Sequence, residues 1–505
     1  MNSLENKRIL IFQQRGWGLR IGNFLANKLQ REGAKLAAFT FKRTAHNFTT
    51  SQTDVKYDLI INYDPILSDP KKYLDGDDYS LAEICSQLGI DSIWPYVYTS
   101  REHVKSYNDK YYFSFRQGAS DAVINNYIKA IYKCIKIFFD EFNPEVIFAP
   151  NFVTLPHIMF YFYAKKRGVK MIAVSDSKVK DFNIFVRSFN EDEGYFFEYL
   201  EKLNSAEKVS SSIDKARNYI EEFRENFKKP TESEVIEKIQ TRKSIIKQIK
   251  FHLKPYYQIY QWYTGKPAKM ETLGVTVNYR PPKIILRDHF KSLTNQRFTE
   301  NFDYYPLNKV KKYIYFPLQF QPEETIDVIA PYFSNQIETA RQVAMSLPDD
   351  YTLVVKEHPA MVGLRPPSYL KKIARTANVK LIDYRIPSET VLKGADLVVS
   401  PSSTTVSEAA FYRVPSIQLG NLGATLRLPN VFKHTDMTTL SKKINELLGK
   451  NLNTQEYERK LENFVAAAYD TGFNLNYFGL WDRAESADMD ALWRVWSEEI
   501  KRSLS

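Results

Sequence analysis

One apolar segment in the second half of the chain ends on three ionisable side chains. The run TLVV at 352–355 passes directly into Lys356, Glu357 and His358, and Pro359 stops any strand because proline cannot donate a ladder hydrogen bond. Alternation along a strand places Lys356 and His358 on one face and Glu357 on the other. A lysine and an imidazolium can neutralise a departing phosphate near neutral pH, and the imidazolium can also protonate it. We therefore expect Lys356 and His358 to contact a phosphate, and Glu357 to serve the structure.

A run of hydroxyl side chains follows a second apolar segment. The run DLVV at 396–399 leads into Ser402, Ser403 and Thr404, and TTVSEAAFYR then predicts a helix. A helix start leaves backbone N–H groups unpaired and carries the positive end of the dipole, so hydroxyls there favour an anion site. A simple N-cap would need only one hydroxyl. Glu408 lies one turn later on the same face, where it could accept hydrogen bonds from a ribose diol.

Strand-like and helix-like segments alternate in both halves of the chain. The expected strands are 7–14, 34–41, 145–150 and 169–176, and then 312–319, 351–358, 379–384, 396–402 and 414–420. This order predicts an α/β protein with two Rossmann-like, doubly wound domains that face a cleft. We place the first domain at 1–190, a helical basic-aromatic insertion at 191–305, the second domain at 306–452, and helices that pack back on the first half at 453–505.

Other polar residues follow predicted strands and join the candidate site by their position. In open parallel sheets, ligands bind beyond the carboxyl ends of the strands. Gln319, Gln321, Glu323 and Glu324 follow the first strand of the second half, and Asp176 ends a strand of the first half. We expect these groups to converge on the cleft.

Charge and composition limit the partners that the chain can bind. There are 70 basic and 59 acidic residues, a net charge of +11, which favours a polyanionic partner. Residues 242–269 hold seven Lys or Arg, six aromatic residues and no acid. This stretch is typical of a solvated basic helix, of a membrane-surface segment, or of a docking site for a charged glycan.

The sequence shows no sign of export or of a metal site. The N-terminus lacks the layout of a signal peptide, and no apolar run reaches membrane-spanning length. Two cysteines, Cys85 and Cys134, have no metal or redox spacing. The run DGDD at 75–78 lies far from any strand end and is interpreted as a surface turn. We expect no bound metal, and a cytoplasmic protein that is either free or peripheral on the inner face of the cytoplasmic membrane.

The segment ADLVVSPSSTTVSEAAFYRVPSIQLG, preceded by VVKEHP, resembles the nucleotide-binding domain of GT-B glycosyltransferases. It is most similar to bacterial capsule and surface-polysaccharide enzymes, including Kdo and sialic-acid transferases, and it also resembles UDP-GlcNAc 2-epimerases. The resemblance covers about residues 312–440. It implies that His358 and Pro359 form the His-Pro motif, that Ser402, Ser403 and Thr404 hold phosphate, and that Glu408 holds ribose. It also implies that Gln319 and Gln321 belong to the first strand-loop of the donor domain, and that no metal or cofactor is needed.

A sugar transferase also needs an acceptor site and a carboxylate that acts as base or nucleophile. Asp176 is the expected carboxylate of the first half, with Glu323 and Glu324 as alternatives across the cleft. The loop after the first strand, with Arg15, Gly16, Trp17 and Gly18, is expected to contact the acceptor. Its GxGxxxG spacing is a weak dinucleotide signal, because bulky residues crowd it and no acid ends the next strand.

The sequence thus predicts a glycosyltransferase that uses a nucleotide sugar, with a CMP-linked acidic sugar such as Kdo or a nonulosonic acid as donor. The acceptor would be a surface polysaccharide, a glycan or a lipid-linked saccharide. The alternatives are a 2-epimerase-like enzyme, a glycerophosphotransferase that uses CDP-glycerol, and a non-enzymatic assembly protein that binds glycan or nucleic acid. Nucleic acid is not an expected partner of the enzyme.

Overall fold

The computed structural model describes residues 4–108, 117–227, 245–265, 269–481 and 486–504. Parts of the basic-aromatic stretch 242–269 therefore lie outside the described residues. Within the described ranges, every helix is either too short or insufficiently apolar to cross a membrane.

The first half of the chain forms a six-stranded sheet in the order β3-β2-β1-β4-β5-β6. Its neighbouring strands are parallel except β6, which runs antiparallel to β5. Helices cover both faces, so the central strands are apolar on both sides. The strands are β1 (Arg8–Gln14), β2 (Lys35–Phe41), β3 (Leu59–Asn62), β4 (Val146–Phe148), β5 (Lys170–Asp176) and β6 (Asn183–Val186).

The second half forms a six-stranded sheet in the order β12-β11-β10-β7-β8-β9, with all neighbours parallel. Counted from its own first strand, each sheet has the order 3-2-1-4-5-6 of a Rossmann fold. The predicted fold class, α/β with two doubly wound sheets, is confirmed. The strands are β7 (Tyr313–Pro317), β8 (Thr352–Lys356), β9 (Val379–Ile382), β10 (Leu397–Ser400), β11 (Ser416–Gln418) and β12 (Val431–Lys433).

Helices fill the connections between these strands. Those of the first half are α1 (Arg15–Trp17), α2 (Asn23–Arg31), α3 (Arg43–Ser51), α4 (Tyr63–Ser68), α5 (Pro70–Leu74), α6 (Leu81–Leu88), α7 (Trp94–Val97), α8 (Arg101–Val104), α9 (Asp121–Ile137) and α10 (Leu155–Lys166). The stretch between the two sheets contains α11 (Tyr195–Asn204), α12 (Ile213–Glu225), α13 (Ile245–Thr264) and α14 (Pro282–Glu300).

The second half and the tail contain the remaining helices of the described chain. They are α15 (Glu324–Asp327), α16 (Gln336–Met345), α17 (Pro367–Ala374), α18 (Ser388–Lys393), α19 (Thr404–Phe411), α20 (Gly423–Leu426), α21 (Leu440–Leu448), α22 (Gln455–Thr471), α23 (Tyr477–Leu480) and α24 (Ser486–Leu504). The final helix α24 packs on the first sheet, where the buried Trp496 ring contacts Phe148 and Phe185. The C-terminal tail thus completes the core of the N-terminal half.

The two halves contact each other through segments that follow their strands. The backbone N–H of Gly423 donates to the carbonyl of Asn190 at 2.7 Å. A Cβ at Gly423 would lie 2.5 Å from the Cα of Asp192, so only glycine allows this approach. Lys105 pairs with Asp327 at 3.6 Å, from the first half to the second.

The glycine-rich loop after β1 packs largely against the core. The Trp17 ring is fully buried, and its Nε1–H donates to the Tyr477 hydroxyl at 2.6 Å. A Cβ on Gly18 would lie 2.7 Å from the carbonyl carbon of Gln13, and one on Gly16 would lie 2.9 Å from the Trp481 carbonyl oxygen. The buried Trp17 ring is therefore a packing residue, which corrects its expected acceptor role, whereas acceptor contact by the rest of the loop stays a prediction.

Candidate functional site

The two predicted phosphate contacts lie at the same edge of the second sheet. The register pairs Pro317 of β7 with Lys356 of β8, and Tyr315 of β7 with Val398 of β10, so the three strands end at similar levels. His358 follows β8 and the hydroxyl run follows β10, with β7 between them. Adjacent strands are about 4.8 Å apart, so the two segments start about 10 Å apart. The edge between β7 and β10 is the topological switch point, where doubly wound sheets bind ligands.

The hydroxyl run contains one N-cap and one buried hydroxyl without a partner. The Ser403 Oγ accepts from the Thr405 backbone N–H at 3.0 Å and so caps α19. Thr404 is the first residue of the helix and is half-buried. The Ser402 Oγ is fully buried and has no hydrogen-bond partner among the described residues. A buried hydroxyl without a partner is costly, and an anion at the helix start would satisfy it.

His358 has a neutral imidazole, which corrects the expectation of an imidazolium. Its Nδ1 accepts from the Ala360 backbone N–H at 3.1 Å, so the proton of the neutral ring resides on Nε2. Burial, and then the nearby Arg365 and Lys356 charges, lower the pKa of His358 to about 4. β8 ends at Lys356, and Pro359 begins a 3₁₀ turn. His358 therefore presents an Nε2–H donor rather than a positive charge.

Glu357 forms a buried ion pair, in agreement with its expected structural role. The Arg365 Nη1 lies 2.6 Å from the Glu357 Oε1, and both side chains are 1% exposed. Burial raises the pKa of Glu357, and the Arg365 charge opposes that shift. Arg365 also donates to the Gln319 carbonyl at 2.6 Å, which joins the segments after β7 and β8. Lys356 is buried beside them and donates to the Ser388 Oγ at 3.0 Å.

Gln319 and Gln321 make hydrogen bonds inside the domain, and their contact with the donor stays a prediction. The Gln319 Nε2 donates to the Pro317 carbonyl at 2.9 Å and to the Ser400 Oγ at 3.3 Å. The Gln321 Oε1 accepts from the Gln336 Nε2 at 3.0 Å, and its Nε2 donates to Asp327 and Ser334. Both glutamines are buried, and these bonds use their amide groups to brace the loop after β7.

Glu408 is enclosed rather than open to the edge of the sheet. Only 7% of the residue is exposed. Burial raises the pKa of Tyr315 in the middle of β7, and the charge of Glu408 raises it further. The Glu408 carboxylate thus acts on Tyr315 of the adjacent strand β7 from inside the domain. Its contact with a ribose stays a prediction.

One lysine, Lys178, interacts electrostatically with carboxylates from both halves of the chain. The Lys178 Nζ lies 3.5 Å from the Asp176 Oδ2. Burial raises the pKa of Glu191, and the Lys178 charge lowers it. Burial also raises the pKa of Glu323, which a hydrogen bond from Thr325 and the Lys178 charge both lower. Lys178 thus acts on Asp176 and Glu191 of the first half and on Glu323 of the second, and we call these four residues the carboxylate cluster.

The backbone around the carboxylate cluster is strained. Lys178 has φ +69° and Glu191 has φ +54°, a region that side chains other than glycine rarely adopt. Such strain concentrates at functional sites. Lys178, between β5 and β6, and Glu191, after β6, were not among the predicted site residues, because the strand pair β5–β6 was not recognised from the sequence. Glu324 is the first residue of α15, next to Glu323.

Arg15 and Lys42 form a basic pair at the strand ends of the first sheet. Arg15 is exposed and follows β1, and Lys42 follows the adjacent strand β2. Both have positive φ, +50° and +77°. Burial and the Arg15 charge lower the pKa of Lys42, whereas Glu102 and Asp64 raise it. Arg15 is therefore an exposed member of the predicted acceptor loop at this edge, and its contact with an acceptor stays a prediction.

The DGDD run lies on the surface, as its interpretation as a turn requires. Asp77 pairs with Lys133 at 2.7 Å and Asp78 pairs with Lys129 at 2.5 Å. In the described part of the chain, no group of three or more His, Cys, Asp or Glu residues is arranged to hold a metal ion.

No protein-family model and no curated protein matches the sequence. Among solved structures, the chain is similar to the UDP-GlcNAc 2-epimerase from Methanocaldococcus jannaschii, with 14% identity, 91% of this chain and 98% of that chain covered, and a TM-score of 0.25. It is similar to KpsC from Thermosulfurimonas dismutans, a beta Kdo 2,7 transferase, with 13% identity, 67% and 80% covered, and a TM-score of 0.31. It is also similar to CalG4, the calicheamicin glycosyltransferase, with 13% identity, 92% and 95% covered, and a TM-score of 0.26. At these identities and TM-scores, the matches assign neither a reaction nor a substrate to this chain.

Glu357→Gln is expected to lower the free energy of unfolding by about 3–5 kcal/mol, because it leaves the Arg365 charge buried without its counter-ion. Denaturant unfolding would measure the change. Asp350→Asn is the matched control, since Asp350 forms an exposed pair with Lys312 and its loss should have little effect. Equal stabilities of the two variants would contradict the structural role of the buried pair.

Proposed function

We propose that the protein is a nucleotide-sugar-dependent glycosyltransferase of the GT-B type. The observation that carries the proposal is the buried, unpartnered Ser402 hydroxyl at the start of α19, on the same sheet edge as the Nε2–H of His358. Both groups suit a nucleoside phosphate at the switch point. The donor that we propose is a CMP-linked acidic sugar such as Kdo or a nonulosonic acid, because one hydroxyl run and one imidazole suit a single phosphate.

In this proposal the donor phosphate binds across the ends of β7, β8 and β10. The Ser402 hydroxyl and the backbone N–H groups at the start of α19 hold its oxygens, and Thr404 adds a hydroxyl. His358 donates its Nε2–H, and Pro359 fixes the turn that orients the ring. The Lys356 ammonium at the end of β8 supplies positive charge to the phosphate. The Glu408 carboxylate accepts hydrogen bonds from the ribose hydroxyls.

The transfer step uses the carboxylate cluster. One carboxylate takes the proton of an acceptor hydroxyl, and the hydroxyl oxygen bonds to the anomeric carbon of the sugar. The bond between that carbon and the phosphate oxygen breaks, and its electron pair leaves with the nucleoside monophosphate. The helix start and the imidazole stabilise the negative charge that develops on the phosphate, so the proposal assigns this task to the protein rather than to a metal ion.

A carboxylate of raised pKa suits the role of base, because proton transfer is most efficient when the pKa lies near the working pH. Burial raises the pKa of Glu191 and of Glu323 in this way. Asp176 lies beside them against Lys178. The base is thus proposed among Asp176, Glu191 and Glu323. Glu324, one residue further on, belongs to the same loop.

The acceptor is proposed to be a surface polysaccharide, a glycan or a lipid-linked saccharide that enters from the first sheet, where Arg15 and Lys42 are placed to contact an anionic group. The reaction would then take place in the cytoplasm, on the inner face of the membrane if the acceptor is lipid-linked.

Isothermal titration with CMP, UDP, GDP and CDP tests the donor site. We expect CMP to bind and Ser402→Ala to weaken it by about tenfold to a hundredfold, because a hydrogen bond to a charged group contributes about 1.5–3 kcal/mol. Ser407→Ala is the matched control, since the Ser407 hydroxyl in the same helix donates to the Thr404 carbonyl instead.

Preferential binding of CDP, with release of CMP from CDP-glycerol, would favour a glycerophosphotransferase. Selective binding of UDP, with epimerisation of a UDP-sugar in the absence of an acceptor, would favour a 2-epimerase. Failure of all four nucleotides to bind would refute the donor site.

His358→Gln is expected to weaken CMP binding by the same factor at every pH between 6 and 8, a range above the pKa of about 4. A neutral Nε2–H donor does not titrate in this range, so the ratio of wild-type to variant affinity should stay flat. Measuring the ratio cancels the titration of the phosphate itself. A ratio that rises as the pH falls would show that the bound complex contains an imidazolium.

Asp176→Asn, Glu191→Gln and Glu323→Gln test the carboxylate cluster. Loss of the base is expected to lower kcat by about 10²–10⁴-fold, with CMP affinity preserved. Wild-type kcat should fall as the pH falls through the raised pKa of the base, because the protonated form cannot accept the acceptor proton. Glu193→Gln is the control, since Glu193 is exposed and pairs with Lys165. Near-normal turnover in all three variants would remove the cluster from the mechanism.

A further inference from the structure

Helix α13 carries an exposed stripe of apolar and aromatic side chains. Ile249, Leu253, Tyr256, Tyr260 and Tyr263 follow one another at spacings of four, three, four and three residues, and therefore share one helix face. They are between 52% and 76% exposed. A surface helix of a soluble domain normally turns such a stripe toward the core. We call these five residues the α13 stripe.

The opposite face of α13 is the one that packs on the protein. Pro255 is buried, and Gln258, Ile259 and Trp262 are half-buried on the same side. The Trp262 ring contacts the ring of Tyr279 with centroids 4.9 Å apart. The helix is thus anchored by one face, and the α13 stripe points away from the protein among the described residues.

Basic side chains flank the α13 stripe on one side. At 100° per residue, Lys250 and Lys254 lie 100–140° around the helix from Ile249. The described stretch 245–265 contains no Asp or Glu. An apolar face bordered by lysines is complementary to a bilayer whose headgroups are anionic.

The face of α13 opposite the stripe also packs against the neighbouring helix α14. Phe251 of α13 contacts His289 of α14 with ring centroids 5.4 Å apart, and His289 contacts Phe290. At 100° per residue, Phe251 lies about 200° around the helix from Ile249. This contact therefore anchors α13 and leaves the α13 stripe on the outer face.

The α13 stripe could instead bind a second copy of the chain, because the spacing of its residues is that of a coiled-coil seam. Three of the five positions are tyrosines, whose hydroxyls require a polar partner when they are buried. In a symmetric dimer, the lysines beside the stripe would also lie near each other, and their like charges would repel. At a bilayer surface, tyrosine rings reach the acyl boundary with their hydroxyls in the headgroup layer, and lysines meet anionic lipid.

We propose that α13 lies in the headgroup layer of a bilayer that contains anionic lipid, with the α13 stripe inserted. This docking goes beyond the proposed transfer reaction, because it requires neither the donor site nor the carboxylate cluster.

The position of α13 connects the docking to the acceptor side. In the segment that follows it, the Asn278 Nδ2 donates to the Glu102 Oε1 at 3.2 Å. Glu102 is one of two carboxylates, with Asp64, that raise the pKa of Lys42 after β2. The segment that follows α13 is thus linked through Glu102 to the basic pair Arg15 and Lys42. This last step rests on the proposed function, and it favours an acceptor whose anionic group is held at the membrane surface.

Flotation with vesicles tests the proposal on the full chain. We expect binding to vesicles of phosphatidylcholine mixed with phosphatidylglycerol, and much weaker binding to phosphatidylcholine alone. The stripe variant L253S/Y256S/Y260S should lose binding, and the charge variant K250Q/K254Q should weaken it by about tenfold or more. The control variant Y98S/Y332S removes two equally exposed tyrosines elsewhere and should bind normally.

Two results would overturn the proposal. One is vesicle binding by the stripe variant at the wild-type level. The other is a wild-type dimer in sedimentation that the stripe variant dissociates, with no vesicle binding by either protein, which would assign the stripe to a second copy. CMP titration of the stripe variant monitors its folding, and it separates failure of docking from failure of the proposed function.

Discussion

The buried ion pair between Glu357 and Arg365 holds the candidate donor site in shape. Glu357 accepts from the His358 backbone N–H at 2.7 Å and from Arg365 at 2.6 Å, and Arg365 reaches the Gln319 carbonyl on the neighbouring strand end. The charged residues that interrupt the strand at 356–358 therefore have separate tasks. Glu357 is a buried structural group, whereas the buried Lys356 and the half-buried His358 are the groups proposed to act on the donor phosphate. A buried pair of this kind fixes geometry more than it adds stability.

The alternation of strands and helices could be predicted from the sequence because parallel strands covered on both faces are continuous apolar runs. Three strands at sheet edges, β3, β6 and β12, were not predicted, and β3 and β12 are only partly buried, so they lack the fully apolar run of a central strand. The hydroxyl run could be predicted to start a helix, because Ser and Thr are preferred at helix N-termini. The burial of Gln319 and Trp17 could not be predicted, since a strand-end position does not reveal whether a side chain turns into the domain or out of it.

Burial explains why the chemistry of the site differs from the sequence expectation. In water, a histidine beside a lysine would still titrate near neutral pH, but desolvation disfavours the charged ring and lowers the pKa of His358 to about 4. Desolvation acts oppositely on Glu191 and Glu323, whose pKa values it raises. Desolvation thus leaves His358 neutral at the proposed donor site. It also raises the pKa values of the carboxylates Glu191 and Glu323 in the cleft. Neither effect can be read from residue types alone.

Neither half of the chain supplies all the groups that the proposed reaction needs. The hydroxyl run and His358 belong to the second sheet, whereas Asp176, Lys178 and Glu191 belong to the first, and Glu323 extends from the second half toward Lys178. Burial raises the pKa of Glu191 and of Glu323, and the single Lys178 charge opposes that shift only in part. Carboxylates with raised pKa values in a cleft are suited to acid–base work. The contact of Gly423 with the loop at 190–192 fixes the distance between the halves. That distance, rather than any single side chain, decides whether the carboxylates reach a sugar held at the second sheet.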